Sequence, residues 1–282
     1  MAARYWNRLG FECELWQKGL LHVAGVDEAG CGPLAGPVVA AAVVFPAQWR
    51  ETGLFGKLRG LNDSKQLTEQ EREKYFAVLT SRDEIRYAIA SVDPAIIDQI
   101  NILQAAHRAM SLALEQLQPP PQHVLVDGRP VKSLRWPSTA LVQGDARSYS
   151  IAAASVLAKV TRDRLMADFD RQYPGYAFAE HKGYATPQHL AAIEQRGPSP
   201  IHRRSFSPFR PVELELFPSS AQAAPGTLVA IAPLPVNRTD RTNETDLLRS
   251  AGLPARSTFE PNPSRAQDQI PPGKGEQGAS PP

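Results

Sequence analysis

At 282 residues, 42% of them hydrophobic and 21% charged, the chain is long enough for a well-buried core. Its longest apolar run, Val38 to Phe45, is far too short to span a bilayer, and no signal-peptide core precedes it, so a cytoplasmic protein with no membrane partner is expected. A net charge of +2 and only two cysteines, Cys13 and Cys31, exclude a disulfide framework and a thiolate metal site.

In chain order, residues 3–18 place Tyr5, Trp6, Leu9, Phe11, Leu15 and Trp16 among charged positions and stop before Gly19, the pattern of a short amphipathic helix closing on the core. Two strands are expected next, over Leu21–Val26 and Pro37–Phe45, joined by the turn Gly30-Cys31-Gly32. Residues 46–67 read as a loop containing Leu61-Asn62-Asp63-Ser64-Lys65. Thr68 with Glu71 forms a capping-box pattern that opens a helix to about Leu79. Ile85–Val92 alternates as a strand, and Asp93-Pro94 starts a helix expected to run to about Leu117. Short strands follow at His123–Val126 and Thr139–Val142. The Ala-rich stretch from Ser148 to about Gln172 reads as a long, largely buried helix. Thr186-Pro187 caps a last helix that Gly197 ends.

Helices interspersed with strands that end in acids predict a mixed α/β sheet covered by helices. Composition changes near residue 210. Residues 211–282 hold 12 of the 26 prolines and carry 6 basic and 8 acidic residues, with no sustained apolar period. That segment is expected to be a disordered tail, because it cannot bury enough apolar surface to offset its ordering entropy. Residues 1–210 are the expected folded domain, with 25 basic and 21 acidic residues, an excess compatible with nucleic acid.

The chemistry-bearing acids sit beside glycines. Asp27 and Glu28 end an apolar strand before a glycine turn, and Asp127-Gly128 and Gly144-Asp145 each follow a run rich in Val and Leu. Hard divalent cations take oxygen ligands, and phosphodiester hydrolysis commonly uses two such ions held by a few acids. Each piece has an ordinary reading as well. Asp-Gly is a common turn, Asp145 suits a helix cap, and Lys159 with Asp163 suits an exposed i,i+4 ion pair. In a regular strand Asp27 and Glu28 point to opposite faces, so a shared site requires the strand to bend or end at the pair. His181-Lys182-Gly183-Tyr184 offers a cation and an aromatic, and His202-Arg203-Arg204 reads most simply as surface charge.

Taken together and in order, the segments Val23–Gly30, Pro33–Val38, Leu61–Lys65, Val126–Gly128, Ile151–Asp163, His181–Tyr184 and His202–Phe206 resemble type 2 ribonuclease H, the ribonuclease HII family. The likeness runs from about residue 15 to residue 210. It implies a ribonuclease H-like mixed sheet flanked by helices; a monomer is expected, since nothing in the sequence demands more. The implied substrates are the RNA strand of RNA–DNA hybrids and duplex DNA carrying embedded ribonucleotides, nicked to leave 5′-phosphate and 3′-hydroxyl ends. Carried over position by position, Asp27, Glu28, Asp127 and Asp145 are the catalytic acids and hold two divalent ions, Mn²⁺ or Mg²⁺. The backbone of Gly30, Cys31 and Gly32 and the hydroxyl of Tyr184 are implied to read the 2′-hydroxyl that separates RNA from DNA. Lys65, Lys182 and Arg203 are the implied phosphate contacts. One departure stands out: Cys31 occupies the place between the turn glycines where the family usually has a basic residue, and weaker substrate binding is expected from it. A DNA-cutting enzyme of the same fold and a silent hybrid-binding protein are the competing readings.

Overall fold

The computed structural model describes residues 8–209. The tail expected over 211–282, and residues 3–7 of the first expected helix, lie outside the described residues. Among the described residues no helix is long and apolar enough to cross a membrane.

Five strands form one sheet in the order β3-β2-β1-β4-β5: β1 (Val23–Ala29), β2 (Val38–Val44), β3 (Arg86–Val92), β4 (His123–Asp127) and β5 (Ser138–Leu141). The first three strands are antiparallel neighbours, while β1, β4 and β5 run parallel. The mixed sheet expected from the sequence is therefore present. Every residue of β2 is buried, because helices cover both faces, and Ala40–Ala42 keep that strand thin.

On one face lies the long helix α7 (Tyr149–Gln172), and on the other α5 (Ile102–Glu115). Strand alternation sorts the core accordingly. Val23, Val39, Ala41 and Leu125 pack with Ile151, Ala152 and their neighbours on α7. Ala24, Val26, Ala40 and Val124 pack with Ala105, Ala109 and Ala113, which recur every fourth residue along α5. Gly25 lets α7 approach β1 closely, since a Cβ there would stand 2.3 Å from the carbonyl carbon of Ser150.

The remaining helices are α1 (Gly10–Gln17), α2 (Trp49–Thr52), α3 (Glu69–Thr80), α4 (Pro94–Ile100), α6 (Gly144–Arg147), α8 (Phe178–His181) and α9 (Pro187–Arg196). The capping box at Thr68 forms in full, with Glu71 Oε2 accepting from the Thr68 amide and Thr68 Oγ1 from the Glu71 amide. Thr186 caps α9 and Gly197 follows it, as expected.

Three expectations are corrected. The single helix expected from Asp93 to about Leu117 is two helices, broken at Asn101, which adopts φ 65° and caps α5 through the Gln104 amide. At ψ 165° this backbone lies beyond the left-handed helical well, in space that favours glycine, so the break is a strained position. The loop expected over 46–67 contains α2 and a 3₁₀ turn at Gly56–Leu58, because Trp49 buries its ring against Phe45, centroids 4.8 Å apart. Strand β1 does not stop at Val26: pairing with β2 continues through Asp27↔Ala41 and Glu28↔Ala40 to Ala29↔Val39.

Candidate active site

The parallel strands β1, β4 and β5 all end on the same side of the sheet, the edge where open α/β sheets commonly bind ligands. In the register Val26↔Val126, the next position on each strand is an aspartate, so Asp27 and Asp127 stand side by side. Both belong to the alternation that faces α7, as Val23 and Leu125 do. The third acid arrives through the turn after β5. Gln143 takes a left-handed conformation, Gly144 opens α6, and Asp145 follows at once. Gly144 packs closely here: a Cβ would lie 2.7 Å from Ile151 Cδ1 and 3.2 Å from Asp127 Oδ1, so a larger residue requires the Ile151 side chain to shift.

Ligand oxygens of Asp27, Asp127 and Asp145 all lie within 4.8 Å of one another. Glu28 does not join that group. It still lines the same cleft, of about 290 Å³, together with the Gly30–Gly32 turn, Lys65 and Tyr184.

Backbone donors fix the carboxylates. Asp127 Oδ1 accepts from the Gly144 amide at 2.7 Å, Asp27 Oδ1 from the Glu28 amide at 2.7 Å, and Asp145 Oδ1 from the Ala146 amide at 2.8 Å. Behind Asp145, the Arg8 guanidinium donates to the carbonyls of Asp145 and Leu61 and so ties α6 to the Asp63–Lys65 loop.

Crowding of carboxylates in a partly closed site opposes ionisation. Burial, then the charges of Glu28 and Asp127, hold Asp27 well above the usual carboxylate range. Burial is also the main cause of the rise at Glu28; Asp127 adds to it, and a hydrogen bond from the Cys31 thiol opposes it. Asp145 is pushed up to about 6 by burial, then by Asp127 and Asp63. At Lys65 burial acts to lower the pKa, but Asp63, Asp27 and Asp145 outweigh it and raise it, so this ammonium faces the acids as a cation. A group of hard oxygen donors that repel one another fits a divalent cation, which neutralises them.

The cleft wall differs from expectation at several side chains. Arg203 is fully buried; its guanidinium donates to the carbonyls of Gly30, Cys31 and Gly36, so it braces the glycine turn and is not a phosphate contact. Lys182 does not line the cleft: its ammonium donates to the Ala179 carbonyl. Lys159 does line it, in a 2.6 Å pair with Asp163 whose side chains are only 22% and 13% exposed, so this ion pair is not the exposed one expected.

Arg162, to which the sequence assigned no role, is 1% exposed and donates to the carbonyls of Pro37, Lys182 and Ala35. It packs so tightly under Gly30, at φ 99°, that a Cβ there would sit 2.1 Å from its Nε. Ser64 and Ser155, hydrogen-bonded to each other at 2.9 Å, complete the wall and were likewise missed. The signal available for Arg162 was its place in the resembling segment Ile151–Asp163. At the rim, Tyr184 is 47% exposed, and a Cβ on Gly32 would stand 3.5 Å from its Cε1, so the tyrosine ring and the turn face each other.

Comparison with known proteins agrees with this geometry. The family model for ribonuclease HII matches residues 24–208. A ribonuclease HII of Desulfitobacterium hafniense is 52% identical over 197 residues, covering 70% of this chain and 73% of its own. One of Myxococcus xanthus is 50% identical over 202 residues, covering 72% and 67%. Among solved structures, the ribonuclease H2 of Pyrococcus horikoshii superposes with a TM-score of 0.54 at 33% identity, over 67% of this chain and 95% of that one.

Proposed function

The chain belongs to the ribonuclease HII family, metal-dependent nucleases with ribonuclease H activity on RNA–DNA hybrids, and on that footing we propose that it also nicks duplex DNA 5′ of embedded ribonucleotides. The observation that supports the reading is the convergence of Asp27, Asp127 and Asp145 at one edge of the sheet, where Asp27 lines a cleft shared with a glycine turn and a tyrosine.

Asp27, Asp127 and Asp145, with Glu28 at the cleft edge, would hold Mg²⁺ or Mn²⁺. Two such ions, once bound, supply an activated water nucleophile and positive charge at the leaving 3′ oxygen, so that the products carry 5′-phosphate and 3′-hydroxyl ends. The residues of the chain do the rest. The backbone of Gly30, Cys31 and Gly32 reads the 2′-hydroxyl, held rigid from below by Arg162 and Arg203. Tyr184, opposite the turn, packs on the sugar and adds its hydroxyl to that recognition. Lys65 and Lys159, the two lysines that line the cleft, contact backbone phosphates in place of Lys182 and Arg203.

Labelled duplex DNA carrying one ribonucleotide tests the reading, beside an all-DNA control, in Mg²⁺, in Mn²⁺ and in EDTA. The expected result is a metal-dependent nick on the 5′ side of the ribonucleotide with the control intact. Cutting of a long RNA–DNA hybrid without any nick at the single ribonucleotide would contradict the proposal and leave only the hybrid activity. A cut control would favour a DNA-cutting enzyme.

A further inference from the structure

Behind Tyr184 lie three buried histidines that the chemistry above does not use: His181, His189 and His202, 8%, 0% and 2% exposed. The rings of His181 and His189 stack with centroids 4.3 Å apart, and Phe178 meets both edge-on. Their partners fix the tautomers. His189 Nδ1 lies 2.8 Å from the Tyr184 carbonyl, which can only accept, so Nδ1 carries the proton and Nε2 of the neutral ring is an acceptor. His202 Nε2, 3.0 Å away, is then the donor to His189 Nε2. That leaves His202 Nδ1 to accept from the Ser199 amide at 2.9 Å, as the structure shows. The chain of donors runs one way: Ser199 to His202 to His189 to the carbonyl of Tyr184.

His181 supports the same loop from its other side. Its Nε2 donates to the Tyr176 carbonyl, its Nδ1 accepts from the Gly183 amide, and its carbonyl accepts from the Tyr184 amide. The loop needs such support, because Lys182 and Gly183 are both left-handed, at φ 52° and 83°. Charge would disrupt the chain, since a protonated ring has no acceptor nitrogen. Burial, followed by the neighbouring His189, accordingly pushes His202 down to about 4.

We infer that His202 and His189 form a neutral hydrogen-bond relay that sets the position of Tyr184, and thereby substrate recognition, from outside the cleft. Both are positioning residues: neither lines the cleft. The inference rests on the reading of Tyr184 as a substrate contact and goes beyond it by assigning what holds that contact in place.

A double-mutant cycle tests it. His189→Leu removes the donor to Tyr184, and His189→Asn keeps an amide donor near the Nδ1 position. Each is combined with Tyr184→Ala, and kcat and KM are measured separately on an RNA–DNA hybrid with folded protein. His189→Leu is expected to lower kcat/KM about tenfold, the scale of one buried hydrogen bond lost, chiefly through KM. In the Tyr184→Ala background that loss should fall to about twofold or less, and His189→Asn should recover most of it. His202→Phe, which keeps an aromatic ring against His189, carries the same cycle should His189→Leu not fold. Equal losses with and without Tyr184, or no loss from either histidine variant, overturn the relay. If Tyr184→Ala alone leaves kcat/KM unchanged, the reading of Tyr184 as a substrate contact fails first, and the inference falls with it.

Discussion

The carboxyl of Asp145, pushed up to about 6, makes cation binding a competition with a proton. An acid whose pKa is raised by folding binds its proton more tightly in the native state. In metal-free protein, stability is therefore lost as pH rises from about 4 to about 6. A bound cation removes that penalty, and it does so only where the carboxyl is ionised. The thermal shift given by Mn²⁺ at a hundredfold excess over its dissociation constant should reach about 5–10 °C at pH 7.5 and shrink markedly at pH 5. Equal shifts at both pH values would count against Asp145 as a ligand. Cys31 supplies a second test. Its thiol donates to Glu28 Oε1 at 3.5 Å, and burial followed by the Glu28 charge pushes its pKa up to about 12, so it stays protonated at neutral pH. Cys31→Arg should lower KM for hybrid severalfold and steepen its salt dependence; an unchanged KM and salt slope would show that a cation here adds nothing. The three clustered aspartates were legible from the chain as candidates, because Asp127 and Asp145 each sit beside a glycine and Asp27 closes an apolar run just before a glycine turn. Arg203 was not: a His-Arg-Arg cluster reads as surface charge, and only the packed structure shows its guanidinium among the carbonyls of Gly30, Cys31 and Gly36.

Helices with capping chemistry at an end were readable, as was the Ala-rich α7, whereas a break inside an apolar run was not. Thr68 with Glu71, and Thr186-Pro187 with Gly197, declared their helices through capping chemistry that acts within a few residues. The break at Asn101 was hidden, because the apolar residues Ile96, Ile97, Ile100 and Ile102 continue across it and only tertiary packing decides where the chain turns. The one local signal was asparagine itself, which caps α5. Asn101→Ala loses the cap and should destabilise the fold by about 1 kcal/mol in urea unfolding. Asn101→Gly relieves the strain and should cost well under half of that. If both variants cost the same, backbone strain at residue 101 plays no part in the difference.

At the scale of the whole molecule, the site is a consequence of sheet topology. Three parallel strands deliver their ends to one edge, and the register Val26↔Val126 aligns two aspartates that lie a hundred residues apart in sequence. No local pattern reveals that register; only the order of motifs in the resembling segments pointed to it. Glu28 stands apart from the three clustered aspartates. The central claim is that these acids act together as a cation site for cleavage and not as a binding surface. The most direct measurement is single-turnover cleavage of an RNA–DNA hybrid by the wild-type protein and Asp127→Asn, with hybrid affinity measured in parallel. The account predicts a fall in rate of about 10³-fold, equivalent to about 4 kcal/mol, with affinity held within a few-fold. A variant that cleaves at the wild-type rate, or that loses cleavage only because it no longer binds hybrid, would contradict it.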